Sequence, residues 1–155
     1  MSFRITGLDP EPFRPLFGLS EAALAAKGAR RVPVEKPRSA PCRIGLRDAE
    51  PGGTVILVNY EHQPADTPFR ATHAIFVSEK PDARFDAVDV VPPAFIGRTL
   101  SLRAFDRDHM MIDAALADGG DTAATLERLF GDAWVDYVQI HYATRGCYAA
   151  RAERA

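Results

Sequence analysis

From Arg30 onward the chain breaks into short apolar runs of four to seven residues, separated by clusters of turn-forming residues. Residues 31–34, 42–46, 54–60, 74–77 and 99–105 each have the length and side-chain character of a β-strand. That pattern commits the chain to sheet. Val55-Ile56-Leu57-Val58 and Ala74-Ile75-Phe76-Val77 are apolar on both phases, so both faces are expected to be covered there, and these two strands form the predicted core. Cys42 falls in phase with Ile44 and Leu46 and reads as a core residue. Residues 48–53 lie between two apolar runs and predict a hairpin turn, hence antiparallel pairing of the flanking strands.

Ahead of these runs, Phe3 and Ile5 alternate with Arg4 and Thr6 in a short strand over residues 3–8, which Gly7 and Asp9-Pro10 bring to a turn. Pro10 and Pro12 suit a first helical turn, where a missing N–H leaves nothing unpaired, and Pro15 prevents continuation. Ser20 is a good N-cap for a second short helix, with Glu21 at its positive end and Lys27-Gly28 as its stop. Further on, Met110, Ile112, Ala114 and Leu116 alternate as in a strand, although Met, Ala and Leu favour helix; we read residues 110–116 as strand. Asp121-Thr122, then Ala123, Leu126, Leu129 and Phe130, then Gly131, spell the best helix, which must pack on the sheet. Residues 134–143 return as a strand with Trp134, Val138, Ile140 and Tyr142 on one phase and Val135, Tyr137, Gln139 and His141 on the other. Neither a repeat nor a linker divides residues 1–155. The expectation is one α+β domain, a mainly antiparallel sheet of about six or seven strands with two or three short packed helices.

A domain of this size buries roughly 70% of the surface its unfolded chain exposes, so no metal, disulfide or cofactor is needed to hold it. Nineteen basic and twenty-one acidic side chains leave a net charge of -2, without the positive excess that nucleic-acid and anionic-membrane binders carry. Arg30-Arg31, the only adjacent basic pair, reads as a solvated strand edge. No apolar run approaches the ~18 residues of a membrane helix, and the first six residues lack a signal-peptide pattern. A cytoplasmic location is therefore expected, with Cys42 and Cys147 as free thiols. Phosphate-loop, dinucleotide, zinc-protease, zinc-ribbon and serine-hydrolase motifs are all missing.

Phe3-Arg4-Ile5-Thr6-Gly7-Leu8, the stretch from Pro41-Cys42-Arg43 through Asn59-Tyr60-Glu61-His62 to Thr72-His73-Ala74-Ile75-Phe76, and Ile140-His141-Tyr142-Ala143-Thr144-Arg145-Gly146-Cys147-Tyr148 together resemble a bacterial domain-of-unknown-function family, number 1203. The resemblance covers nearly the whole chain. It implies a small single-domain bacterial protein, and no activity or catalytic residue comes with it. The family's counterpart of residues 110–116 looks richer in β-branched residues, in keeping with a strand there.

The polar groups that can carry chemistry gather first on residues 61–73, read as a loop of about twelve residues joining two apolar strands. It holds Glu61, His62, Asp66, Arg70 and His73, and Pro64 and Pro68 stiffen it. A purely structural role is open too, with His62 and His73 bonding backbone carbonyls and Arg70 paired with Glu61 or Asp66. His141 shares its strand face with Tyr137 and Gln139, as a pocket wall or as a half-buried, hydrogen-bonded core histidine. Cys147 follows Thr144-Arg145-Gly146, where Arg145 stands beside the thiol; the alternative is a small buried apolar residue.

The expected role is recognition of a small polar or anionic molecule in a cleft bordered by the loop 61–73 and the tail 141–147. Arg70 would meet an anionic group, His62, His73 and His141 would orient the ligand or move protons, and Tyr137 would add a hydroxyl and a ring. Should turnover follow, His141, Cys147 and His73 are the candidates for catalysis. Three other readings stay open. One is a non-catalytic protein-interaction domain. Another is a metal site of His62, His73 and His141 with Cys147 or Glu61. The third makes Cys147 a nucleophile with His141 or His73 as base and Asn59 or Asp66 orienting the ring.

Overall fold

The computed structural model describes residues 1–80 and 83–155. Two antiparallel sheets carry the chain. The larger contains β1 (Phe3–Thr6), β5 (Asp86–Val88), β6 (Thr99–Phe105), β7 (Met111–Asp118), β8 (Tyr137–Tyr142) and β9 (Tyr148–Arg154), in the order β5-β1-β9-β8-β6-β7. The smaller is a meander of β2 (Arg30–Pro33), β3 (Thr54–Gln63) and β4 (Ala71–Ser78). Among the described residues, helices α1 (Glu21–Ala26) and α2 (Thr122–Phe130) and three short 3₁₀ turns complete an α+β fold that is mostly sheet. No described helix is long and apolar enough to cross a membrane.

Local chemistry accounts for the helices. The Ser20 hydroxyl accepts the Ala23 N–H at 3.1 Å, pairing one of the donors a helix start leaves orphaned. In α2, Leu126, Leu129 and Phe130 recur on one face and are buried in the main core, beside Leu100 and Leu102 of β6. Strand β8 lies inside the larger sheet and all six of its residues are buried. Val138, Ile140 and Tyr142 belong to the core shared with α2. Tyr137, Gln139 and His141 point to the opposite face, which the β3–β4 hairpin crosses.

Several details depart from the sequence pattern. Residues 42–46 are a tight turn, in which the Leu46 N–H bonds Cys42 O at 3.1 Å, the Cys42 N–H bonds Arg47 O at 3.0 Å, and Leu46 sits at φ +50°. Residues 40–46 are all buried, because the turn sinks into the body of the protein; its apolar alternation came from that burial and not from a pleat. The turn in 48–53 exists, but it closes β2 on β3, with the Val34 N–H bonding Gly53 O and the Gly52 N–H bonding Val34 O, each at 2.9 Å, and does not pair 42–46 with a neighbour. The loop expected over 61–73 is mostly hairpin: Glu61 pairs with Thr72, Tyr60 with His73, a bulge falls at His62, and only residues 64–70 remain between the strands. Val55, Ile56, Ile75 and Val77 are buried as expected, but Leu57, Val58 and Phe76 are only half-buried, and the main core lies behind the larger sheet instead. Trp134 precedes β8 and is 78% exposed, since a turn at Asp132 carries it outward before the strand begins. Arg31 is half-buried, its Nε and Nη2 bonding Glu79 at 2.6 and 2.8 Å, so of that pair only Arg30 is exposed at the strand edge without an acid among the described residues.

Candidate functional site

The hairpin end and β8 bring one group of the marked residues together. His62 Nδ1 lies 2.8 Å from Gln139 Oε1, and Gln139 Nε2 donates to His62 O at 2.8 Å. The His62 ring meets His141 edge-on at 4.9 Å and stacks on Tyr148 at 5.3 Å. His141 is fully buried, its Nδ1 3.0 Å from Gly146 O. Burial holds its pKa down to about 3, and burial likewise lowers that of His62. His73 lies near enough to push both further in the same direction. Tyr137 accepts from Gln63 Nε2 at 2.7 Å, sits 2.9 Å from His109 Nδ1, and carries the Arg151 guanidinium 3.7 Å above its ring. A hollow of about 280 Å³ borders this cluster. Its polar groups already answer one another.

The other marked residues lie elsewhere. Arg70 is exposed and paired with Glu61 at 3.1 Å, and Asp66 is exposed. Among the described residues no three His, Cys, Asp or Glu side chains are grouped to hold a metal ion. Cys147 takes its hydrogen bond from Arg43, whereas His141 bonds the Gly146 carbonyl, so no thiol–imidazole pair forms. Both cysteines are free and buried.

Cys147 instead faces a second cavity, of about 470 Å³, between residues 38–43, the start of β6 and the β8–β9 turn. Four arginines line it: Arg38, Arg43, Arg98 and Arg145. The sunken turn fixes Arg43, whose N–H bonds Phe76 O at 3.0 Å and whose carbonyl accepts the Leu8 N–H at 2.8 Å. Its side chain is 2% exposed. Nε donates to Tyr148 O at 2.8 Å, Nη1 to Pro41 O at 2.5 Å and Nη2 to Cys147 Sγ at 3.1 Å. Among the described residues this guanidinium has no carboxylate partner, and its remaining N–H groups have no acceptor.

Tyr142 stands beside it. The guanidinium carbons of Arg43 and Arg98 lie 5.0 and 5.4 Å from its ring centre. The buried Tyr142 hydroxyl has no hydrogen-bond partner among the described residues. Burial pushes its pKa up to about 12, so it keeps its proton and remains a donor. Arg98 grips Asp48 through two bonds of 2.7 and 2.9 Å, and Arg38 approaches the same carboxylate at 3.8 Å and donates to Ile96 O. Asp48 therefore answers two of the arginines, leaving Arg43 and Arg145 without an acid among the described residues. Arg145 and Thr144 are exposed at the mouth, and half-buried Phe76 supplies an apolar wall.

The sequence singles out Cys147 and Arg145 but passes over Arg38, Arg43, Arg98 and Tyr142. Arg43 was hidden in an apparent strand, and Tyr142 on the phase that reads as core. The signal available was a charged residue between Cys42 and Ile44, where an arginine can be buried only if something satisfies it. The tail 141–147 borders this cavity; residues 61–73 do not.

Residues 39–154 match the model of a family described as "Protein of unknown function (DUF1203)". No curated protein and no solved structure matches the chain.

Proposed function

Since the chain belongs to the DUF1203 family, whose description assigns no activity, we propose from its own residues that it binds a small anionic molecule in the cavity of Arg43, Arg98 and Tyr142. One observation carries this reading: Arg43, whose buried guanidinium has no carboxylate among the described residues, and Tyr142, whose buried hydroxyl has no partner among them, line the same hollow. Burying a charge without a counter-charge costs several kcal/mol, and an unmet hydroxyl adds to it. An anion accepting from both offsets those costs.

The volume suits a small metabolite. Its charged end, a carboxylate or phosphate, accepts from the free N–H groups of Arg43 and from the Tyr142 hydroxyl. Arg145 and Arg38 draw it in at the mouth, and Phe76 covers its apolar part. Binding alone is proposed, without a reaction.

Thermal denaturation of the full chain with citrate, succinate or inorganic phosphate tests it. At least one anion should raise the melting temperature, and Arg145→Ala should weaken the effect. A ligand at 100 times its Kd adds roughly 2.7 kcal/mol. Indifference to all three anions at about 10 mM would retire the proposal.

A further inference from the structure

The arginine cavity contains one more reactive group that anion binding does not use. Cys147, whose Sγ lies 3.1 Å from Arg43 Nη2, lines the same hollow as Tyr142, whose hydroxyl has no partner among the described residues. Cys42 is free and buried too, but its surroundings differ. It sits 1% exposed in the other core, its sulfur accepts the Ser78 N–H at 3.3 Å, and it lines no described cavity with an arginine excess. Of the two thiols, only Cys147 meets a space in which charge selects what arrives.

We propose that Cys147 forms a mixed disulfide with small disulfides that carry carboxylates, which the cavity's arginines select. This rests on the anion-binding reading and goes beyond it by assigning a covalent step and a substrate class. The Cys147 sulfur attacks one sulfur of the ligand's S–S bond. A new S–S bond forms to the protein as the ligand's own bond breaks. The thiol proton leaves with the departing half, which is released as a thiol; Cys147 is oxidised and that half is reduced, so the ligand is the only oxidant required. The geometry favours this class because the incoming carboxylate meets Arg145 at the mouth and the free N–H groups of Arg43 further in, which brings its sulfur to the same depth as Sγ. A neutral or cationic disulfide gains no such attraction.

The test compares oxidised glutathione, which is anionic, with cystamine, which is cationic, on the reduced full-length protein. Adducts are located by intact mass and peptide mapping, and each rate is divided by the rate for the urea-unfolded chain, which removes the reagents' intrinsic difference. The expected result is an adduct at Cys147, formed about tenfold faster with oxidised glutathione than with cystamine after that division. Cys147→Ser should abolish it, Cys42→Ser should leave it, and Arg145→Ala, at an exposed position, should shrink the charge preference. Absence of a Cys147 adduct while citrate still stabilises the fold would overturn this inference and leave anion binding standing. Equal normalised rates for the two reagents would overturn the selection claimed here, and with no stabilisation by citrate, succinate or phosphate would take the anion-binding reading down as well.

Discussion

The Arg43 guanidinium carbon stands 5.0 Å from the centre of the Tyr142 ring, and the hydroxyl on that ring bonds to no described residue. The ring face answers the cation; the hydroxyl does nothing for the unliganded fold. Tyr142→Phe keeps the face and removes an unmet buried group, so the unliganded protein should gain about 1 kcal/mol. The same substitution removes a donor to the anion, and stabilisation by citrate or phosphate should shrink. Urea denaturation of both proteins, with and without the anion, measures each effect. A Phe variant that is less stable yet binds anions fully would show that the hydroxyl has a structural role instead.

Acid should destabilise the protein above the carboxylate range. The His141 imidazole has its pKa near 6.5 in the unfolded chain and about 3 in the fold. Below pH 6.5 the unfolded chain takes up a proton that the folded chain refuses, so stability is full above that pH and falls as pH drops toward 3. Each pH unit costs up to about 1.4 kcal/mol. His62, His73 and Arg103 all oppose a charge on His141. Glu79, held low chiefly by its bond to Arg31, withdraws its own contribution only below 4.5. Urea midpoints at pH 6 and pH 5 therefore separate the histidines from the carboxylates; His62, whose pKa burial also lowers, shares the effect, so His141→Asn should reduce the difference without abolishing it. An unchanged slope in that variant would place the acid sensitivity elsewhere.

Much of this was legible in the sequence where periodicity and local chemistry agree. Ser20 caps α1, Gly131 follows α2, and the strand read over 110–116 is there, as Met111–Asp118 paired with β6. Legibility failed where burial rather than secondary structure sets the pattern. In residues 42–46 a turn is buried on every side, and Arg43 is held in part by Tyr148 O and Cys147 Sγ, more than a hundred positions away, which no local pattern encodes. His62 and His141 were marked by residue type and do meet, but through a hairpin where a loop was expected. Arg70 had the right chemistry at an exposed tip, already paired with Glu61.

Trp134 offers a contrast of magnitude. Placed on the strand it would be a core anchor, and truncation would cost several kcal/mol. It is 78% exposed, outside β8. Trp134→Ser should therefore change stability by no more than about 0.5 kcal/mol. A loss several times larger in urea denaturation would mean that the ring is covered in solution.

Gly7 ties the fold to the cavity. A Cβ at this position would lie 2.0 Å from Ile44 O and 3.0 Å from Arg43 O, and both atoms are backbone. Neither can swing aside, because the Leu8 N–H holds Arg43 O at 2.8 Å and the Phe85 N–H holds Ile44 O at 2.9 Å. Gly7→Ala must push the sunken turn away from β1 and carry Arg43 with it, at a cost of about 3 kcal/mol. Gly120 provides the control, since a Cβ there meets nothing within 4 Å. Gly120→Ala should be nearly neutral and should keep the anion response, whereas Gly7→Ala should lose both stability and that response at temperatures where the chain is still folded. Retention of full anion-dependent stabilisation by a folded Gly7→Ala protein would break the link between this close approach and the placement of Arg43.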